Sequence, residues 1–183
     1  MAPEAISLTA TGRVILGMIA RGRRSGYEIK QLVDKSTRHF WAASYGQIYP
    51  ELRRLEQDGL IEGRPDPSGA RARMLYELTP LGEHALRDWL LAEQGLIYEL
   101  RDEGMLKLFF SDVAPEAALQ TVRAMRQLQE RKHEQLRLIQ ASGGHISPGP
   151  SMTLEIGLGV TGWLIEWCQA TEARLAGETK VEV

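Results

Sequence analysis

The sequence predicts a mainly α chain in which three helices and one β-hairpin come first and an all-helical part follows. Three observations predict it. Apolar residues recur at helical spacing through three successive stretches up to Gly59. The period then shortens to two on both sides of the turn-rich "PDPSGARAR". From Thr79 onward helical spacing returns, and no further alternation follows.

The first helix is "LTATGRVILGMIARG", with Leu8, Ile15, Leu16, Ile19 and Ala20 on one side and Gly22 as its stop. The second is "SGYEIKQLVDKSTRHFW", opened by Ser25 as N-cap and closed by the apolar pair Phe40 and Trp41. "SYGQIYPELRRLEQDGLIE" holds the third. Its Ile48, Leu52 and Leu55 step by four and then three, although Pro50 lies inside the pattern. "LIEGR" and "MLYELT" are the two strands, with Met74, Tyr76 and Leu78 on one face and Leu75 and Glu77 on the other. "TPLGEHALRDWLLAEQG" makes the fourth helix, with Thr79 as cap and Pro80 at its first position.

In the second half, "LIYELRDEGMLKLFF" reads as one helical segment and a long helix starts near Pro115. "SGGHISPGPS" reads as a loop, and a last helix runs from Met152 to a polar tail. These changes divide the chain into residues 1–90 and 91–183.

Composition narrows the function. The net charge of −2 argues against nucleic acid, yet the charge is unevenly spread. The first 90 residues carry 13 Lys and Arg against 11 Asp and Glu, the remainder 9 against 13. A local basic patch in the first half therefore remains available. The longest apolar runs fall far short of the ~20 residues of a membrane span, and the first residues lack a secretory signal. Cys168 is the only cysteine, so the chain forms no internal disulfide. A cytoplasmic protein is expected. "GLGVTG", Gly157 to Gly162, matches G-x-G-x-x-G, but too few residues follow for a βαβ unit, so helix packing explains it better. The four histidines are scattered, and no nucleophile–base arrangement stands out. Metal, cofactor and catalysis are accordingly not expected.

Helix, helix, short connection, helix, hairpin is the order of a winged helix-turn-helix, which suits double-stranded DNA. Its third helix enters the major groove while the hairpin reaches flanking phosphates. Here Ile48, Leu52 and Leu55 point inward. Gly46 and Pro50 lie opposite, flanked by Gln47, Arg53 and Arg54. Pro50 lacks the N–H that would bond the Gly46 carbonyl. Glycine eases the backbone shift, water satisfies the outward carbonyl, and the pair leaves a low, flat surface for a groove floor. Ser44 and Tyr45 start the helix, where base contacts concentrate. Gln47 can pair with adenine, and Arg53 or Arg54 with phosphate or guanine. The hairpin carries Arg71 and Arg73, with Arg64 at its base.

The stretches "LTATGRVILGMIARGRRSGYEIK", "FWAASYGQIYPELRRLEQDGLIE" and "LYELTPLGEHALRDWL" resemble the PadR family of bacterial transcriptional regulators over residues 8–90. The segments "SGYEI" and "GQIYPEL" carry most of that resemblance and add Ser25, Tyr27 and Tyr49 to the expected DNA contacts. The second half, with "LRDEGMLKLFF", looks like the C-terminal domain of longer PadR-like proteins related to virulence activators. The resemblance implies a dimeric repressor or activator whose C-terminal helices pair the subunits. The alternatives are a small-molecule sensor, or a protein-interaction module on a winged-helix scaffold with little DNA binding of its own, against which Arg53, Arg54, Arg71 and Arg73 argue.

The long helix supports a dimer. Val122, Met125, Gln129, Lys132, Leu136 and Ile139 follow steps of three and four, a short heptad-like seam with two polar members. We expect this helix, packed with the last one, to form the homodimer. Trp163 and Trp167 stand four apart on the last helix. They serve either as core or dimer packing or as the lining of a pocket for a small aromatic effector.

Overall fold

A computed structural model describes residues 8–37, 40, 45–66, 73–93, 100–142 and 146–178. The chain divides into two compact units, residues 1–96 and 97–183.

In the first unit, α1 (Ala10–Ala20), α2 (Gly26–Lys35) and α3 (Tyr45–Gln57) precede strands β1 (Ile61–Pro65) and β2 (Met74–Leu78), and α4 (Pro80–Leu91) follows. Caps set most of these limits. The Thr9 side chain accepts the Gly12 N–H, and α1 gives way to Gly22 at a φ of 81°. At Ser25 a reciprocal box forms: Ser25 Oγ accepts the Glu28 N–H while the Glu28 carboxylate accepts the Ser25 N–H. Helix α2 is shorter than its sequence pattern predicts and ends at Lys35. The Ser36 hydroxyl donates to the Leu32 carbonyl, and a short hydroxyl-bearing stretch competes with the helix there. Thr79 caps α4 with Pro80 in its first turn, as the sequence predicts.

The hairpin pairs Ile61 with Leu78 through to Pro65 with Met74 in antiparallel register. The Tyr76 N–H also donates to the Arg24 carbonyl, 2.6 Å away, so the segment ahead of α2 is bound to the strand β2. Ile15, Leu16, Ile29, Val33, Ile48, Leu52, Leu55 and Leu60 are wholly buried in one core beneath this sheet. A Cβ on Gly82 would come within 1.9 Å of the Leu60 carbonyl oxygen, so α4 approaches the residue just ahead of β1 only because residue 82 has no side chain.

The second unit holds α5 (Glu103–Phe109), a 3-10 turn at Ser111–Val113, α6 (Glu116–Ala141) and α7 (Pro148–Glu178). Helix α7 begins four residues before the sequence predicts. The stretch Pro148–Ser151 looks like a loop, but proline loses nothing in a first helical turn, where its N–H would have no partner. Val122, Met125 and Cys168 are buried between α6 and α7. Arg126 bridges the two helices, with Nε 2.6 Å from Glu172 and Nη1 2.6 Å from Glu130. Gly157, Gly159 and Gly162 all lie within α7, and a Cβ on Gly157 would press on Leu136 of α6 at 3.0 Å. Close helix contact, expected in place of a nucleotide loop, is what that glycine provides.

Candidate nucleic-acid interface

Helix α3 is amphipathic around its proline. Ile48, Leu52 and Leu55 are fully buried, whereas Gly46, Gln47, Tyr49, Pro50 and Arg53 are exposed. The helix runs through Pro50 without a break. The Gly46 carbonyl, deprived of its N–H partner, therefore belongs to the solvent face. Ser44 and the side chain of Tyr45 lie outside the described residues, as does Arg71.

The two adjacent arginines have different surroundings. Arg53 is exposed and makes no ion pair among the described residues. Arg54 is half-buried and turned to carboxylates: Nη2 lies 2.6 Å from Glu51 Oε1, Nε 3.1 Å from both Glu51 oxygens, and Nη1 2.6 Å from Asp58. Thr9 adds a hydroxyl donor to Glu51 at 2.5 Å, so the cluster ties α3 to the start of α1. The hydrogen bonds from Arg54, opposed by burial and aided by Thr9, hold the Glu51 carboxyl below its usual range. The structure thus gives Arg54 carboxylate partners on and just after α3, in addition to the DNA contact expected of it from the sequence.

Arg73, just before β2, reaches the start of α2. Its Nη2 lies 2.6 Å from Glu28 Oε1 and donates to Ser25 Oγ at 2.8 Å. Ser25 is buried, and its hydroxyl serves the cap and Arg73 together. Beside this contact a cleft of about 490 Å³ opens between α2, α3 and β2, lined by Ser25, Tyr27, Tyr49, Arg53, Arg73 and Tyr76. The Tyr49 ring forms its floor near Gly26, where a Cβ would meet the ring at 2.8 Å. Burial, with Glu56 and Tyr49 nearby, pushes the Tyr76 hydroxyl up, so it remains protonated and able to donate. Five expected contacts, Ser25, Tyr27, Tyr49, Arg53 and Arg73, are brought together here, with Gln47 and Pro50 on the same exposed face of α3. Sequence reasoning missed Glu28 as the partner of Arg73. Its spacing of three from Ser25 signals the capping box alone, and the contact with Arg73 has no local signal.

In the second unit the heptad-like seam is filled from within the chain except at Lys132, which is exposed. Val122, Met125, Gln129 and Leu136 are buried and Ile139 half-buried, on the helix that packs along α7. The apolar surface left outward is a different one. Met152, Ile156, Val160, Trp163 and Trp167 make a stripe along α7, with Trp163 62% exposed. Leu106, Phe109, Phe110 and Val113 are also exposed around α5. The two tryptophans stand on this open stripe, so enclosing a ligand there needs a second surface over them. Among the described residues, no helix is long and apolar enough to cross a membrane.

Comparison with known proteins matches residues 15–88 to the transcriptional regulator PadR-like family and residues 100–176 to the virulence activator alpha C-terminal family. The negative transcriptional regulator PadR of Bacillus subtilis (strain 168) is 38% identical over 97 residues, 52% of this chain and 53% of the relative. The chain spans about half the length of the curated relatives it matches. Among solved structures, Bacillus subtilis PadR in complex with operator DNA superimposes with a TM-score of 0.79 at 28% identity, over 89% of this chain and 97% of that one. The same regulator in complex with p-coumaric acid gives 0.73 at 27% identity, over 90% and 97%.

Proposed function

We propose that this chain is a transcriptional regulator of the PadR-like family: a cytoplasmic, non-catalytic, dimeric repressor that binds an inverted-repeat operator in double-stranded DNA. Residues 1–90 bind DNA and residues 91–183 form the dimer. The observation that carries the reading is the exposed face of α3, with Gln47, Pro50 and the uncompensated Arg53, next to a cleft lined by arginine and tyrosine. Gln47 supplies a base-edge donor and acceptor, while Arg53 and Arg73 supply phosphate contacts. A dimer sets two such helices ~34 Å apart, one turn of duplex.

The subunits pair through the outer stripe of α7 together with the exposed residues around α5, because the α6 seam is already occupied within the chain. A small aromatic effector is taken up beside Trp163 and Trp167, where the partner's surface encloses it, and its binding releases the DNA. Support comes from the exposed stripe and from the similar regulator that binds p-coumaric acid.

The test is fluorescence anisotropy of labelled duplexes across a salt series. The logarithm of the affinity should fall linearly with the logarithm of salt, by ~0.9 for each phosphate contact. A flat response on every duplex rejects DNA binding. Titration of aromatic carboxylic acids into the protein–duplex complex tests the effector arm, with release as the expected result.

A further inference from the structure

We propose that the cleft between α2, α3 and β2 is a seat for one backbone phosphodiester, and that Glu28 is the residue that positions Arg73 to hold it. The proposal rests on the DNA-binding reading above and adds a site and a positioning residue to it.

The lining of the cleft selects an anion. None of its lining residues is acidic, and two are arginines. Arg53 brings a guanidinium with no ion pair among the described residues. Tyr27 Oη accepts from Gln31 Nε2 at 2.7 Å, which leaves the hydroxyl's own hydrogen to donate elsewhere. Tyr76 retains its phenolic proton and can donate as well. Planar guanidinium and hydroxyl donors facing one cleft match the oxygens of a phosphodiester. The volume, about 490 Å³, admits that group with part of its sugar.

Arg73 is held in a particular way. Both of its protein contacts, to Glu28 Oε1 and to Ser25 Oγ, use Nη2. Its Nη1 and Nε have no partner among the described residues. Glu28 is itself anchored, because its Oε2 accepts the N–H groups of Arg24 and Ser25, each at 3.1 Å. One edge of the guanidinium is therefore pinned to the start of α2, and the other edge is left for a ligand. An arginine fixed in this way loses little side-chain freedom when the phosphate arrives. Glu28 thus favours DNA binding even though its charge repels DNA.

Simple electrostatics predicts the reverse sign for one variant, which makes the proposal testable. The measurement is the salt slope of duplex binding for Glu28→Ala, Glu28→Gln, Arg73→Ala and the double variant Glu28→Ala with Arg73→Ala. Arg73→Ala should lower the slope by ~0.9 per protomer, on preferred and random duplexes alike. Glu28→Ala should weaken binding and lower the slope by the same amount, although it removes a negative charge. It should add no further slope change to Arg73→Ala. Glu28→Gln has a single acceptor oxygen, so it can keep the cap at Arg24 and Ser25 only by turning its NH2 group toward Arg73; it should melt closer to wild type than Glu28→Ala yet show the same lowered slope. A lowered slope in a variant that keeps the cap separates positioning of Arg73 from a general loss of fold, and a melt of each variant gives its folded fraction. Tighter binding by Glu28→Ala, or an unchanged slope where Arg73→Ala lowers it, overturns the positioning role. An unchanged slope in Arg73→Ala overturns the seat. A melting temperature raised by inorganic phosphate, lost in Arg73→Ala with unaltered duplex slopes, assigns the cleft to a free phosphate and overturns the strand assignment. If wild-type protein binds no duplex, the DNA-binding reading itself fails, which is a distinct result.

Discussion

Replacing Arg53 and Arg54 one at a time should separate binding from stability across a single peptide bond. Arg54→Ala removes a guanidinium that contacts Glu51 through two nitrogens and Asp58 through a third. The Glu51 side chain is only 12% exposed, so it cannot exchange Arg54 for water at full value. A hydrogen-bonded charge of this kind contributes about 1.5–3 kcal/mol. The more exposed Asp58 contact adds at most ~1 kcal/mol. We expect a loss of about 2 kcal/mol, offset slightly by the better helix propensity of alanine. For a unit of roughly 90 residues that lowers the melting temperature by about 10 °C. The deficit should depend on pH with a definite sign. Glu51 has its carboxyl pKa lowered in the folded state, so its contribution is present above the ordinary value of 4.5 and is lost as pH falls through the folded value. Wild type and Arg54→Ala should therefore converge in stability on acidification. Arg53→Ala should melt as wild type does and bind duplex more weakly, with a shallower salt slope. The assays are thermal melts followed by circular dichroism and anisotropy across salt. An Arg54→Ala protein that melts normally and loses salt-dependent affinity would refute this stabilising role and make Arg54 a phosphate ligand.

Three other substitutions follow from the same geometry. Gly82→Ala places a Cβ 1.9 Å from the Leu60 carbonyl oxygen and should destabilise by about 3 kcal/mol in urea melts, against the usual gain for glycine to alanine in a helix. Pro50→Ala restores the N–H to Gly46 and should raise the melting temperature, by up to ~3 kcal/mol of stability, while specific duplex affinity falls. A fall in stability with unchanged affinity would mean that the proline serves packing alone. Ile156→Glu with Trp163→Glu should convert the dimer to a monomer in sedimentation, because two carboxylates then stand on the outer stripe of α7. A dimer that survives the change moves the interface elsewhere.

The elements were legible where local chemistry sets them. Ser25, Thr79 and Pro80 mark helix starts through their own side chains or missing N–H, and Ile48, Leu52 and Leu55 reveal the buried face of α3. The start of α7 was hidden because Pro148 and Pro150 read as a loop in sequence, whereas a first turn tolerates both. Arg53 and Arg54 could not be told apart. Helical geometry places residue 54 at the border between the buried face and the surface, and the Thr9 hydroxyl that joins it on Glu51 comes from a segment distant in sequence. The Arg73–Glu28 contact was hidden for the same reason, since it joins segments far apart in the chain. The heptad-like seam of α6 shows a different limit. The spacing of Val122, Met125, Gln129 and Leu136 says that one face is covered, but not whether the cover comes from the same chain or another. Here α7 of the same chain supplies it.

The central claim is that two copies of α3 read one duplex as a symmetric pair. Selection of bound duplexes from a random pool, followed by the stoichiometry of binding to the enriched sequence, tests it most directly. The expected result is an inverted repeat with half-sites centred ~10 base pairs apart or a multiple of that, bound by one dimer, with Gln47→Ala relaxing the preference at one position in each half-site. Enrichment of a single asymmetric site bound by a monomer, or no enrichment at all, would contradict it.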